Sequence, residues 1–156
     1  MLEEGFLQLS VALTGFDAAE LIETGMAGGY YGAVCGQIGA GPLDELAGAL
    51  SETGGDPNAV TDPELREVAR AVCWLWYLGV WPGVPEQAAD RFGLTGRQSN
   101  FRPQAEAYAQ GLLWRALGSP APGTGSPGFG SWAQAPPGAD PVEAGLASAR
   151  TPGGSQ

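Results

Sequence analysis

The sequence contains no histidine and no lysine, and its seven basic residues are all arginine. Histidine is the commonest general acid or base and a common metal ligand, so its absence removes the usual candidates for both roles. No G-x-G-x-x-G segment follows a predicted strand, so a nucleotide-binding fingerprint is also missing. We therefore expect no catalytic residue, no metal site and no cofactor-binding site on this chain.

The chain has few basic residues overall, because 17 acidic side chains give a formal net charge of -10. Such a charge repels nucleic acid and anionic membrane surfaces, so the expected partner is a protein. No apolar run reaches the length of about 18 residues that a membrane span needs. The start, Met1 to Glu4, has no basic region of an export leader. This predicts a cytoplasmic protein, whereas removal of a leader would place it in the periplasm or outside the cell.

Cysteine is also scarce, with Cys35 and Cys73 on different predicted helices. Their separation in sequence is far from metal-site or haem-attachment spacing. Two interpretations stay open: two buried or half-buried thiols, or one bridge between helices in an oxidising compartment.

Apolar periodicity predicts an all-α fold, a small irregular bundle of about five helices over residues 1–118. An extended arm and loose tail, rich in proline and glycine, follow at 119–156. Helix ends are indicated by Gly15, by Asp17 as an N-cap, and by a capping box of Thr61 with Glu64. The predicted helices cover Phe6–Leu13, Ala18 to about Ile38, Pro42–Leu50, Asp62–Leu78 and Gln104–Leu117, with a short further helix at Glu86–Phe92.

The second predicted helix is unusually rich in glycine. Gly28, Gly32 and Gly36 fall four residues apart on one face, which predicts close approach of another helix. Each helical glycine costs about 1 kcal/mol relative to alanine, a cost that close packing would offset. The alternative is a broken helix with a loop near Gly28 and Gly29.

Aromatic residues crowd the end of the Asp62–Leu78 helix, where Trp74, Trp76, Tyr77 and Trp81 lie close together in sequence. One core of this size does not require so many aromatic rings, so part of the cluster is expected to face a second protein. Ordinary packing of a central core helix is the alternative.

The stretch from Tyr108 to Trp132 joins a helix end to an irregular arm that still carries Phe129 and Trp132. Disordered tails are poor in aromatic residues, whereas a segment that wraps over a partner uses one or two as anchors. We therefore expect the arm to dock on a partner protein; the alternative is that it folds back on its own domain.

Three blocks of the sequence resemble the small subunits of FAD-dependent sugar and polyol dehydrogenases, the family typified by the small subunit of membrane-bound D-sorbitol dehydrogenase. The blocks are GFLQLSVALTGF at residues 5–16, VCWLWYLGVW at 72–81, and the Tyr108–Trp132 stretch with its Gly-Phe-Gly-Ser-Trp ending. The loop with Phe101, Arg102 and Pro103 is similar to a Tyr-Arg-Pro loop of that family. The chain departs from the family in lacking a twin-arginine leader.

The resemblance implies a non-catalytic accessory subunit in a heterodimer or higher hetero-oligomer. Its partner would be a large flavoprotein of the glucose-methanol-choline type, which would hold FAD. Arg102 is then either a solvated loop cation or a planar fork that binds a partner's carboxylate or carbonyl groups. The residues expected to bind the partner are Tyr77, Trp81, Arg102, Trp114, Phe129 and Trp132. The alternative function is a free-standing helical binding protein or a minor enzyme with its own aromatic pocket.

Overall fold

The computed structural model describes residues 1–94 and 100–124, and over these it is a small all-α bundle, as the sequence predicted. The chain divides into a compact unit, Met1–Ala121, and a second unit, Pro122–Gln156. Within the described ranges, no helix is long and apolar enough to cross a membrane. The helices are α1 (Glu3–Thr14), α2 (Ala18–Glu23), α3 (Ala27–Ile38), α4 (Gly41–Glu52), α5 (Pro63–Leu78), α6 (Glu86–Arg91) and α7 (Leu112–Ala116), with 3₁₀ turns at Pro57–Ala59 and Ala105–Ala107.

Helix α5 is the centre of the bundle and packs against α1, α4, α6 and α7. Its inner face carries apolar residues at helical spacing, which explains this central position. The buried hydrophobic residues of the helix are Leu65, Val68, Ala71, Val72, Leu75 and Trp76. Gly79 ends the helix in the left-handed conformation at φ 68°, where glycine carries no steric penalty. The predictions for α1, α4, α5 and α6 are confirmed to within a few residues.

Asp17 caps α2 as predicted, in a capping box with Glu20. At α5 the predicted box of Thr61 with Glu64 is wrong, because Asp62 is the N-cap and its carboxylate accepts the Leu65 N–H at 2.9 Å. Arg91 of α6 contacts the same carboxylate, so the cap also ties α6 to the start of α5. The Leu65 N–H first, and Arg91 after it, hold the pKa of Asp62 below its usual value.

The predicted helix from Ala18 to Ile38 is two helices, broken at Gly25, which has φ 70°. The break falls before Gly28 and Gly29, which both lie inside α3. Close approach of a helix along the whole glycine face is also wrong. Gly32 and Gly36 are exposed, and outside their own helix no described atom lies within 4 Å of a Cβ built at either. At Gly28 the near neighbour is the end of a side chain, the Glu3 carboxylate of α1.

The predicted helix Gln104–Leu117 is likewise interrupted, leaving a 3₁₀ turn at Ala105–Ala107 and the short α7. The interruption falls at Gly111, whose ψ of 132° is extended and not helical. A Cβ at this position would lie 2.6 Å from the Tyr77 carbonyl oxygen. The chain presses its backbone against the end of α5 at this point. Such a contact is open only to glycine.

Candidate partner-binding site

Helices α1 and α5 are joined by hydrogen bonds from aromatic side chains. The Trp76 indole N–H donates to the Ser10 hydroxyl at 2.9 Å, and that hydroxyl donates to the Phe6 carbonyl at 2.8 Å. All three side chains are buried. We call this contact between α1 and α5 the seam. Because hydrogen bonds are directional, they fix the register of the two helices more narrowly than apolar packing does.

The seam continues one turn further along α1, toward its C-terminal end. The Tyr77 hydroxyl donates to the Thr14 carbonyl at 3.0 Å, and the Tyr77 ring meets Phe16 edge to face at 6.2 Å. Cys73 lies beside them with its thiol 3.5 Å from the Leu13 carbonyl oxygen. Burial raises the pKa of the Cys73 thiol and so favours its protonated form. Both cysteines are free and half-buried, which agrees with the first of the two interpretations.

A third segment closes over the end of α5. A Cβ at Gly79 would lie 2.3 Å from the Ala107 carbonyl oxygen, so residue 79 has room only for hydrogen. Trp81, just beyond, exchanges two backbone hydrogen bonds with Phe101, at 2.8 and 3.1 Å. The segment that leads to α7 is therefore held against the end of α5 by close backbone contacts.

The three sequence blocks that carry the resemblance thus meet at one end of α5. Ser10 and Thr14 of the first block bind Trp76 and Tyr77 of the second. Gly111, from the third, lies against the backbone of Tyr77. The structure therefore explains several residues of the three blocks, since they make specific hydrogen bonds or allow a close backbone contact.

The outer side of this junction forms a mixed aromatic and basic surface, which we call the α7 corner. The Trp114 indole N–H donates to the Tyr108 carbonyl at 2.8 Å, and the two rings meet edge to face at 5.5 Å. The Arg102 guanidinium lies 5.5 Å from the centre of the Tyr108 ring. Arg115 pairs with Glu23 at 3.2 Å. Leu117 is 64% exposed. The corner comprises Arg102, Tyr108, Trp114, Arg115 and Leu117.

The predicted partner-binding residues fall into three groups. Arg102 is exposed and Trp114 half-buried, both in the α7 corner. Tyr77 is half-buried in the seam and Trp81 is fully buried. The placement of Trp81 does not support a direct partner contact, because its ring is part of the core. Phe129 and Trp132 lie outside the described residues.

Sequence reasoning placed Trp74 in the aromatic cluster but did not separate it from its neighbours. The structure does, because Trp74 is 47% exposed whereas Trp76 is buried. Trp74 borders a shallow groove of about 360 Å³ with Glu67, Arg70 and the segment 82–85. The sequence signal that could have predicted this exposure is helical spacing, which puts Trp74 on the face of α5 opposite the core-facing residues.

A separate groove of about 370 Å³ lies between α1 and α4. Its lining is mostly apolar and has no aromatic residue; it includes Leu9, Ala12, Ala47 and Leu50, together with the polar residues Gln8 and Ser51. The rings at the end of α5 do not line this groove, so it is not the aromatic pocket of the alternative minor enzyme.

Within residues 1–94 and 100–124, three buried polar side-chain atoms have no hydrogen-bond partner: the Tyr30 hydroxyl, the Trp81 indole nitrogen and the Gln104 amide oxygen. Gln104 packs against α3, where a Cβ at Gly29 would lie 2.5 Å from its amide. Burial raises the pKa of Tyr30 to about 12, against the opposing effect of the Arg102 charge. Among the described side chains there is no cluster of three or more histidine, cysteine or carboxylate groups suited to a metal ion.

Comparison with family models, with curated proteins and with solved structures finds no match to this chain.

Proposed function

We propose that this chain is the accessory small subunit of a heteromeric FAD-dependent sugar or polyol dehydrogenase or oxidase. In this proposal the large subunit, a flavoprotein of the glucose-methanol-choline type, binds FAD and oxidises the hydroxyl compound. The small subunit covers apolar surface of that flavoprotein and keeps it folded. It contributes no catalytic group.

The observation that carries the proposal is the meeting of the three resemblance blocks at one end of α5. Short apolar helices imitate one another easily when only their hydrophobic pattern is compared. Here the polar residues of the blocks are paired as well, Ser10 with Trp76 and Thr14 with Tyr77. A resemblance that extends to the residues fixing the register of two helices supports a common architecture, and the accessory role rests on that.

The α7 corner is the proposed point of attachment. It combines exposed Leu117, half-buried Trp114 and the Arg102 guanidinium, a composition that is typical of protein interfaces. Phe129 and Trp132, which follow in the sequence, are proposed as further anchors on the flavoprotein. Arg102 provides a planar fork for a partner carboxylate.

The test is co-expression with a large flavoprotein encoded beside this chain. We expect a yellow complex of fixed stoichiometry to purify through a tag on the small subunit. Leu117→Asp places a charge in the proposed contact and should reduce the recovered flavin at least about tenfold, as for loss of an interface anchor. Ile22→Asp is the matched control, because Ile22 is 59% exposed on α2 and lies outside the corner.

The arm is tested in the same complex. Deletion of residues 119–156, or alanine at both Phe129 and Trp132, should leave the helical unit folded and abolish co-purification. Truncation of one central aromatic anchor commonly costs about 2 to 4 kcal/mol. Wild-type recovery of flavoprotein by the truncated chain would contradict the anchoring role.

The groove between α1 and α4 favours one alternative, a free-standing helical binding protein. Its volume of about 370 Å³ lies within the usual range of small-molecule pockets. Under this alternative the chain purifies colourless, and no flavoprotein accompanies it on co-expression. That result would overturn the accessory role.

A further inference from the structure

Helix α5 has an exposed face that nothing in the seam or the α7 corner uses. Pro63, Arg66, Arg70 and Trp74 recur at helical spacing and are all exposed, and half-buried Glu67 lies beside them. We call these five residues the α5 stripe. Although the whole chain has a net charge of -10, the stripe carries two arginines and one glutamate. It is therefore a locally basic strip on an acidic protein.

Trp74 is the feature of the stripe that requires explanation. Its side chain is 47% exposed, beside the groove formed with segment 82–85. Tryptophan is the residue type most enriched among interface hot spots, and an apolar patch rimmed by charges is typical of an interaction surface. Arg70 and Glu67 form an ion pair on this rim, with Arg70 60% exposed.

The order of residues along the stripe is complementary to itself. When two copies of α5 run antiparallel about a twofold axis between Val68 and Ala69, Glu67 of each copy lies opposite Arg70 of the other. The same axis brings Trp74 of each copy opposite Pro63 of the other. Both pairs are centred on the same point of the helix. A single antiparallel register therefore pairs Glu67 with Arg70 and Trp74 with Pro63 at the same time.

We propose that the α5 stripe is a homodimer interface, occupied by a second copy of this chain in the antiparallel register. The two ion pairs within the helices join into a network of four alternating charges, which is stronger than isolated exposed pairs. Antiparallel packing also places the opposite ends of the two helix dipoles beside each other. This inference goes beyond the accessory role and does not depend on it.

The expected dimer is weak. Helix α5 has 16 residues and is therefore roughly 24 Å long, which limits the buried area to the low end of specific interfaces. The charge that both copies carry opposes association as well. We expect a dissociation constant of about 10 to 500 µM, a range that sedimentation resolves well.

The experiment is sedimentation equilibrium of the isolated full chain from about 10 µM to about 1 mM, a range that brackets the expected constant. The wild-type protein should shift from monomer to dimer across this range. Trp74→Glu should weaken dimerisation at least about tenfold, because it replaces the apolar anchor with a charge. Glu67→Arg and Arg70→Glu should each weaken it about threefold to tenfold, by turning attraction into repulsion at two symmetric places.

The decisive variant combines both charge reversals. Glu67→Arg with Arg70→Glu restores opposite charges across the axis and should return the dissociation constant to within about twofold of wild type. Glu52→Arg, at an exposed position on α4, changes the net charge by the same amount as Glu67→Arg and controls for general electrostatics. Far-UV circular dichroism of each variant checks the fold.

Three results would overturn the proposal: a wild-type monomer at every concentration, single reversals that associate like wild type, or a double reversal no better than the singles. Should Trp74→Glu fail to fold, the charge series alone decides, because all its positions lie on the outer face of α5. Flavoprotein binding does not enter the measurement. A failed homodimer and a failed accessory role are thus distinguishable.

Discussion

Trp76 lies between two regions of the core that differ in the hydrogen bonding of their buried polar atoms. On one side lies the seam, where the Trp76 N–H donates to Ser10 and the Phe6 ring stacks at 6.5 Å. On the other side Tyr30 meets the same indole edge to face at 5.0 Å, and its buried hydroxyl has no hydrogen-bond partner among the residues that the structure describes. The two regions share one aromatic ring and similar burial. They differ in hydrogen bonding, because the Trp76 N–H has an acceptor and the Tyr30 hydroxyl has no described partner.

The effect of each polar group on stability depends on whether it is paired. A buried hydrogen bond contributes about 1 kcal/mol net, but a buried group left without a partner costs about 1 to 3 kcal/mol. Ser10 and Trp76 therefore stabilise the register of α1 on α5. The Tyr30 hydroxyl destabilises its surroundings, and its ring alone contributes the packing. Removing polar atoms should thus have opposite signs on the two sides of Trp76.

The largest effect is expected from Trp76→Ala, which empties the ring position common to both regions. We expect a loss of about 3 to 5 kcal/mol in the free energy of unfolding, measured by urea denaturation. Trp74→Ala is the matched control on the same helix, and its exposed ring should cost less than about 1 kcal/mol. Similar losses for the two variants would contradict the central place given to Trp76.

A somewhat smaller effect is expected at the end of α5. Gly79→Ala combines the strain of φ 68° with a Cβ that would lie 2.3 Å from the Ala107 carbonyl oxygen. We expect a loss of about 2 to 4 kcal/mol by urea denaturation, because both strain and overlap must be relieved. Gly15→Ala is the control, with φ 77° and open space around it, and should cost only about 1 to 2 kcal/mol. Equal losses would mean that segment 105–111 does not press on α5.

The sequence predicts well those features that local signals determine. Gly15, Asp17 and Gly79 mark helix ends locally, and the apolar pattern of α5 identifies the helix that other helices surround. These signals depend on residues within one or two turns of each other. The bounds of α1, α4, α5 and α6 therefore follow from the sequence.

Other features of the fold depend on contacts that no local pattern contains. Gly111 interrupts the last predicted helix because it meets the backbone of Tyr77, a residue far away in sequence. The face of Gly28, Gly32 and Gly36 suggested close packing by its spacing alone, yet spacing does not specify whether a neighbour is present. The burial of Trp81 likewise became clear only from the packing around α5.

Ser10→Ala tests the satisfied side of Trp76 directly. It removes one hydroxyl and leaves the buried indole N–H without an acceptor, so we expect a loss of about 1 to 3 kcal/mol in unfolding free energy. In a Trp76→Phe background no N–H is left to satisfy, and the same change should cost less than about 1 kcal/mol. An equal cost in both backgrounds would show that the hydroxyl acts by another contact.

Tyr30→Phe tests the other side, and its effect at neutral pH is expected to be the smallest. The variant removes a hydroxyl that has no partner while keeping the ring against Trp76. Its stability should equal that of the wild type or exceed it by up to about 1 kcal/mol. A clear loss at neutral pH would mean that the hydroxyl is satisfied, for example by a buried water, and that the two regions are alike.

Alkaline pH makes the Tyr30 prediction sharper. Burial raises the pKa of Tyr30 to about 12 in the folded chain, whereas an unfolded tyrosine loses its proton near about 10. Between these two values the folded state binds more protons than the unfolded state, so the stability must fall as the pH rises. Tyr31, Tyr77 and Cys73 have raised pKa values too and add to the fall in both proteins. The difference between wild type and Tyr30→Phe therefore isolates one group.

The Tyr30→Phe variant should become progressively more stable than the wild type from about pH 10 to about pH 12. Urea denaturation at each pH measures the two free energies of unfolding. Parallel curves of stability against pH would contradict the burial of a neutral Tyr30 hydroxyl.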